Sequence, residues 1–134
     1  MWANSRPRKT TETITLLADG GRTQTSELQT DTGILRAKIT TISTDDGRFL
    51  TVSSDVNGDG QADRLSSRVV ADSGQVTATT SQLSATGALQ SRTESITSDD
   101  GLNKTQSWDR NGDGTFERRS EAVIVLNADG STTT

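Results

Sequence analysis

The stretch from residue 87 to residue 114, GALQSRTESITSDDGLNKTQSWDRNGDG, decides the fold, because two strand-like segments in it each end in a turn made of Asp and Gly. The same pattern stands 54 residues earlier, where residues 33–60 read GILRAKITTISTDDGRFLTVSSDVNGDG. The intervals are 13 or 14 residues between the glycines at positions 20, 33, 47, 60, 74, 87, 101 and 114. Self-similarity at a fixed period is typical of repeat architectures.

The segments between these glycines predict β-strands joined by tight turns. Each holds eight to ten residues rich in Thr, Ser, Val, Ile and Leu, and the branched side chain of Thr, with 23 copies, favours strands. Asp-Gly suits a hairpin turn, for which we expect positive φ at both central residues. The apolar run Val123-Ile124-Val125-Leu126 predicts burial on both faces. The predicted fold class is all-β, with tandem antiparallel hairpin or meander repeats in an open or rolled, solenoid-like sheet.

We interpret residues 1–134 as one fragment of a repeat array. It comprises a partial unit at 8–41, a 54-residue unit at about 42–95 and a partial unit at about 96–134. The segment from Met1 to Lys9 lacks the apolar centre of a signal peptide and reads as an excised boundary. We therefore expect the chain to begin and end within a longer array.

Composition argues against several functions. The chain has no His and no Cys, which removes the commonest general base, thiol nucleophiles, disulfides and thiolate zinc sites. The net charge of −4 argues against nucleic acid or an anionic membrane surface as a partner. No segment has the apolar length of a membrane span, and only 28% of the residues are hydrophobic, too few for a thick core. We expect a protein that is not an enzyme and does not insert into a membrane.

Two nine-residue segments carry oxygen ligands at the spacing of a calcium loop, and both read D-x-N-x-D-G-x-x-D/E. Ca²⁺ takes roughly six to eight oxygens, and this spacing curls side chains one, three, five and nine around the ion, with the carbonyl of residue seven added. Gly at position six permits the sharp bend. With water completing each shell, the predicted ligands are Asp55, Asn57, Asp59, Gln61 and Asp63 in the first loop and Asp109, Asn111, Asp113, Thr115 and Glu117 in the second.

These loops are similar to an EF-hand only in part. Position twelve is Ser66 or Ser120 instead of a bidentate Glu, and a strand follows in place of the exiting helix. A plain Asp-Asn-Gly turn facing water is the alternative, but two copies that keep every ligand position favour calcium. We interpret Asp45-Asp46-Gly47 and Asp99-Asp100-Gly101 as hairpin turns and not as catalytic carboxylate pairs, because nothing accompanies them that catalysis would need.

The motif Asn127-Ala128-Asp129-Gly130-Ser131, together with the two loops, carries a resemblance to a known class of proteins. Over about residues 10–134 the chain resembles the Thr/Asp-Gly-rich calcium-binding tandem β-repeats of large secreted bacterial proteins related to the repeats-in-toxin class. The glycine-rich nonapeptide of the parallel β-roll is absent, so that fold is not implied. The resemblance implies an exported, non-catalytic, calcium-binding repeat of an adhesin or surface-layer type, secreted or displayed at the cell surface.

We therefore expect a structural module that about two Ca²⁺ ions order and stiffen, and whose other partners are neighbouring repeats of the same chain. Two ions would bring the formal net charge from −4 to 0 and relieve repulsion among the loop carboxylates. Two alternatives remain open. One is an adhesin module that binds a surface glycan or protein along an exposed strand edge, and the other is a fragment of a propeller-type blade.

Overall fold

A computed structural model describes residues 8–134 and shows an all-β chain in that range. The strands of the main sheet are β1 Arg8–Leu16, β2 Arg22–Thr30, β3 Leu35–Ser43, β4 Phe49–Asp55, β5 Arg64–Val70, β6 Val76–Leu83, β7 Leu89–Thr97, β8 Asn103–Asp109 and β9 Arg118–Val123. A separate small hairpin joins β10 Val125–Leu126 to β11 Thr132–Thr133. Between residues 8 and 134 no helix is long and apolar enough to cross a membrane.

The main sheet is a nine-stranded antiparallel meander in the order β1 to β9. Each strand contacts only its neighbours in sequence, so the sheet is open and β1 and β9 are its two edge strands. The bounds of β7 and β8 are those of β3 and β4 shifted by 54 residues. The predicted all-β antiparallel meander is confirmed, and of the two expected forms the sheet adopts the open one.

A single layer leaves the sheet without a hydrophobic core. No hydrophobic residue among residues 8–134 is buried, and the buried polar or charged residues in that range are Thr30, Asp55 and Asp109. The accessible surface is 9224 Å². A globular protein of this mass exposes about 6,800 Å². Stability must therefore come largely from strand pairing and from the connections between strands.

The hairpin turns differ from the expectation of positive φ at two central residues. Positive φ occurs only at glycines in the described part of the chain, for example 87° at Gly20. Gly20 N donates to Leu17 O at 3.0 Å, and Leu17 N donates to Gly21 O at 2.8 Å. This pattern is a type I turn followed by a left-handed glycine, which needs one more residue than the expected turn but lets Asp19 keep an ordinary conformation.

The expected burial of Val123 to Leu126 is wrong. Val123, Val125 and Leu126 are 47%, 53% and 61% exposed. Val123 ends the edge strand β9, Ile124 lies between the two strands, and Val125 begins β10. No second layer covers this run within residues 8–134. An apolar run predicts burial on both faces only where a sheet is covered on both faces.

The meander places alternate connections at opposite ends of the strands. One end, which we call the loop end, carries the β2–β3 and β6–β7 turns together with the longer β4–β5 and β8–β9 loops. The other end, the turn end, carries the remaining four hairpin turns. Both predicted metal loops therefore lie at the loop end, four strands and about 19 Å apart.

Candidate metal centre

Each loop is organised around the carboxylate that ends the preceding strand. Asp55, 5% exposed, accepts hydrogen bonds from the N–H groups of Gly58 at 2.6 Å and Gly60 at 2.8 Å. Asp109, 1% exposed, accepts the equivalent bonds from Gly112 at 2.7 Å and Gly114 at 2.9 Å. A buried carboxylate needs such partners, since burying it without them would be costly. These bonds curl both loops in the same way.

The ninth residue closes each loop. Asp63 Oδ2 accepts the Val56 N–H at 2.8 Å, and Glu117 Oε2 accepts the Arg110 N–H at 2.8 Å. The closing residues are also fixed by the ladder, because Asp63 N donates to Ser54 O at 2.8 Å and Glu117 N donates to Trp108 O at 3.0 Å. Positions one and nine therefore meet at the base of each loop.

The third and fifth positions are held by turns within the loop. In the second loop Asn111 Oδ1 accepts the Asp113 N–H at 3.0 Å, and Asp113 Oδ1 accepts both the N–H of Thr115, at 2.7 Å, and its hydroxyl, at 2.6 Å. The hydroxyl and then the N–H of Thr115 lower the pKa of Asp113, and a bond from the Asn111 amide adds to the effect. Asp113 therefore stays an anion at neutral pH, as a cation ligand must.

The two loops differ in how closely their carboxylates meet. In the second loop one oxygen from each of Asp109, Asp113 and Glu117 lies within 4.8 Å of the others, and this is the one such group in residues 8–134. The equivalent group of Asp55, Asp59 and Asp63 does not form at that distance. Two differences distinguish the first loop: Asp63 is one methylene shorter than Glu117, and Asp63 Oδ1 accepts the Asn57 amide at 3.0 Å.

The seventh residues, Gln61 and Thr115, whose carbonyls the sequence predicts as ligands, are exposed. Every donor that the loop positions offer is an oxygen, from carboxylate, amide or backbone. This set suits a hard cation such as Ca²⁺ or Mg²⁺ and does not suit the softer metals that prefer sulfur or imidazole. The oxygen donors of the two loops thus fit the calcium ion that the sequence predicts.

A glycine that the sequence reading did not single out sets each loop against the sheet. A Cβ on Gly58 would overlap the carbonyl oxygen of Leu35, and one on Gly112 would overlap that of Leu89. Both glycines also have positive φ, 78° and 75°. The contact lies where β3 and β7 each carry one unpaired residue, a β-bulge at Arg36 and Gln90. The fourth loop position is therefore glycine for packing as well as for conformation.

Arg92 on strand β7 contacts the second loop. The Arg92 guanidinium carbon lies 4.6 Å from the centroid of the Phe116 ring, and Nη2 donates to Gly114 O at 3.1 Å. Arg92 Nε is buried with no hydrogen-bond partner in the described chain. The first loop has Lys38 and Ala62 at these positions, and Lys38 pairs instead with Glu27 at 3.0 Å. Aligning residues 33–60 with residues 87–114 would have shown a cation at this position in both copies, Lys38 and Arg92.

Asp45-Asp46-Gly47 and Asp99-Asp100-Gly101 lie in hairpin turns at the turn end of the sheet. Asp46 accepts the Thr44 hydroxyl at 2.6 Å and the Arg48 N–H at 3.0 Å, which lower its pKa. Asp100 accepts the Ser98 hydroxyl and the Leu102 N–H, with the same effect on its pKa. A shallow groove lined by Asp19, Thr44, Asp45 and Asp46 lies between two turns at this end. Turn hydrogen bonds thus account for Asp46 and Asp100.

Comparison with known proteins gives no match to the chain: none with a family model, none with a curated protein and none with a solved structure.

Proposed function

We propose that the chain is a structural calcium-binding repeat module whose two loops each hold one Ca²⁺ at the loop end of the sheet. The observation that carries the proposal is the convergence of Asp109, Asp113 and Glu117 within 4.8 Å. The first loop supports it by repeating the backbone hydrogen bonds to its own first carboxylate, Asp55.

Calcium suits the loops better than magnesium because the loops do not impose a fixed coordination geometry on the ion. Ca²⁺ accepts a variable number of oxygens with water completing the shell, whereas Mg²⁺ demands compact octahedral geometry and gives up water reluctantly. Without the bidentate Glu at position twelve, we expect dissociation constants of about 10⁻⁴ to 10⁻³ M, the range of extracellular modules. Such sites fill where calcium is millimolar, so the proposed location is outside the producing cell, secreted or at its surface.

The role that we propose for the ion is structural and not catalytic. Because the described sheet has a single layer without a buried apolar residue, its stability depends largely on strand pairing and on the connections, including the two loops. An ion that binds the folded loop but not the unfolded chain adds its binding free energy to the stability of the fold. The module would then extend or stiffen a larger secreted protein of tandem β-repeats, in contact with neighbouring repeats. The matching bounds of β3–β4 and β7–β8 support the tandem arrangement.

Isothermal titration calorimetry with calcium tests the proposal. The unaltered chain should bind two ions, and Asp59→Ala or Asp113→Ala should each leave one site, because each removes a ligand from one loop only. Asp31→Ala is the matched control: it removes the same charge at the same end of the sheet, from a turn that carries no predicted ligand, and should leave two sites. Absence of heat from calcium binding, or equal loss in the Asp31 variant, would refute the assignment of the loops.

A further inference from the structure

The two faces of the main sheet carry different charge, although the chain as a whole is acidic. Residues paired across neighbouring strands lie on one face, so the register assigns every strand residue to a face. Following it from Glu12 through Ser26, Ile39 and Ser54 leads to Arg64. We call the face that holds Arg64 the arginine face. Its basic residues are Arg8, Arg22, Arg64, Arg68, Lys104 and Arg118.

Glu12 is the one acidic residue that the strands of the main sheet place on the arginine face. The other five strand acids lie on the opposite face: Glu27, Asp55, Glu94, Asp109 and Glu121. All other Asp and Glu residues of the described chain lie in turns and loops at the two ends of the strands. Although the chain has a net charge of −4, the strands give its arginine face six positive charges and one negative charge.

These basic side chains are available to a ligand. All six are exposed. The ion pairs in residues 8–134 join Lys38 to Glu27 and Arg48 to Asp46 and Asp72, and none involves the arginine face. No other element of the described chain packs on this face. Unpaired cations on an uncovered surface attract anions at low and moderate salt.

The spacing of the charges indicates what kind of anion fits. Arg64 and Arg68 lie four residues apart on β5, about 13 Å, and Arg22 lies three strands from Arg68, about 14 Å. On this face Ser66 lies between Arg64 and Arg68, and β6 places Thr80 and Gln82 beside them. Leu50 and Ser43 lie between Arg68 and Arg22. The surface is a wide, sparse grid of cations separated by hydroxyl, amide and aliphatic groups, which can contact the hydroxyls and the apolar ring faces of a sugar polymer.

We propose that the arginine face binds an acidic polysaccharide, a polymer in which carboxylate or sulfate groups are separated by sugar hydroxyls. Nucleic acid fits less well, because one strand carries a charge about every 3.4 Å and its bases need exposed aromatic rings to stack on. Trp108 is the one aromatic side chain that the main-sheet strands place on this face, and Arg118 covers it, with its guanidinium carbon 5.4 Å from the ring centroid. Arg64 and Arg118 directly follow the ninth positions of the two loops, but none of the six cations of the arginine face is a predicted calcium ligand, so either proposal can fail without the other.

Binding of the chain to heparin and to hyaluronate, with neutral dextran as the uncharged polymer, tests the proposal at fixed calcium concentration. Arg64→Ser/Arg68→Ser should weaken binding about ten-fold, since two exposed ion pairs are lost. Lys9→Ser/Arg119→Ser changes the net charge equally on the opposite face and should leave the dissociation constant within about two-fold. Arg64→Lys/Arg68→Lys keeps the charge and should bind nearly as well as the unaltered chain. Far-ultraviolet circular dichroism checks that each variant keeps its β-structure.

Three results would overturn the proposal. The first is an equal loss in the two serine variants, which would mean that net charge and not the face decides binding. The second is no binding to either acidic polysaccharide at low salt. The third is tighter binding to oligothymidylate, or to vesicles that contain phosphatidylserine, than to the polysaccharides, which would assign the face to nucleic acid or to membrane.

Discussion

Arg92 lies over the ring of Phe116, with 4.6 Å between the guanidinium carbon and the ring centroid, and so fixes strand β7 to the second loop. The same guanidinium donates to the carbonyl of Gly114, inside the loop. In the first loop Lys38 and Ala62 stand in place of this pair. The two loops therefore share their backbone hydrogen bonds but not the support beneath them, and we expect the second site to bind calcium more tightly.

Arg92→Lys should weaken the second site. The substitution keeps the charge but removes the planar stacking on Phe116 and the aligned bond to Gly114, a loss of about 1 kcal/mol and about five-fold in affinity. Calorimetric titration of the Arg92→Lys variant in the Asp59→Ala background isolates that site. Lys38→Arg in the Asp113→Ala background is the control, and it should gain little, because Ala62 offers no ring. An unchanged affinity in the Arg92 variant would show that the contacts of Arg92 with Phe116 and Gly114 do not support the site.

Gly58→Ala should destabilise the fold more than Gly60→Ala. Both glycines have positive φ, 78° and 87°, so both substitutions carry the same kind of backbone strain, about 1 kcal/mol or more. Only at Gly58 would the added methyl also overlap a backbone atom, the carbonyl oxygen of Leu35, whereas nothing lies within 4 Å of it at Gly60. Urea unfolding in the presence of chelator measures the difference without the ion. Equal costs would show that the loop does not press on the β3 bulge.

Stability should fall in acid as the turn carboxylates are protonated. Hydrogen bonds from Thr44 and Ser98 hold the pKa values of Asp46 and Asp100 below the usual 3.8. A carboxyl whose pKa is lower in the folded than in the unfolded state stabilises the fold above the unfolded value, and this contribution is lost as pH falls through the folded value. The free energy of unfolding should therefore decline below about pH 4.

The double variant Asp46→Asn/Asp100→Asn isolates this effect, because Asn can accept the same turn hydrogen bonds without titrating. Its free energy of unfolding, measured in chelator, should vary less between pH 5 and pH 2 than that of the unaltered chain. Asp31→Asn, in a turn whose carboxylate accepts no hydrogen bond from residues 8–134, should keep the original dependence. The same slope in the double variant as in the unaltered chain would contradict the account.

The spacing of the glycines predicted the strands and their order, because each spaced glycine has positive φ and lies in a connection between two strands. The nine-residue spacing of each predicted metal loop is also a local pattern that can be read from sequence, whereas calcium binding by these residues stays a prediction. The burial of Val123 to Leu126 could not be read from sequence, because it depends on a second layer that local pattern does not report.

Contacts between strands were equally hidden in the sequence. The overlap that keeps Gly58 a glycine involves Leu35, which lies in another hairpin, and the support of the second loop comes from Arg92 on β7. The separation of charge between the two faces follows from the register alone. A slip of one residue would exchange the faces, so composition could not reveal it.

Thermal unfolding with and without calcium tests the central claim most directly. At ten times the dissociation constant each site contributes about 1.4 kcal/mol, and two sites should raise Tm by roughly 10 °C. Millimolar magnesium should raise it much less, because the water-completed loops do not impose octahedral geometry. Superimposable melting curves in chelator and in millimolar calcium would contradict the account.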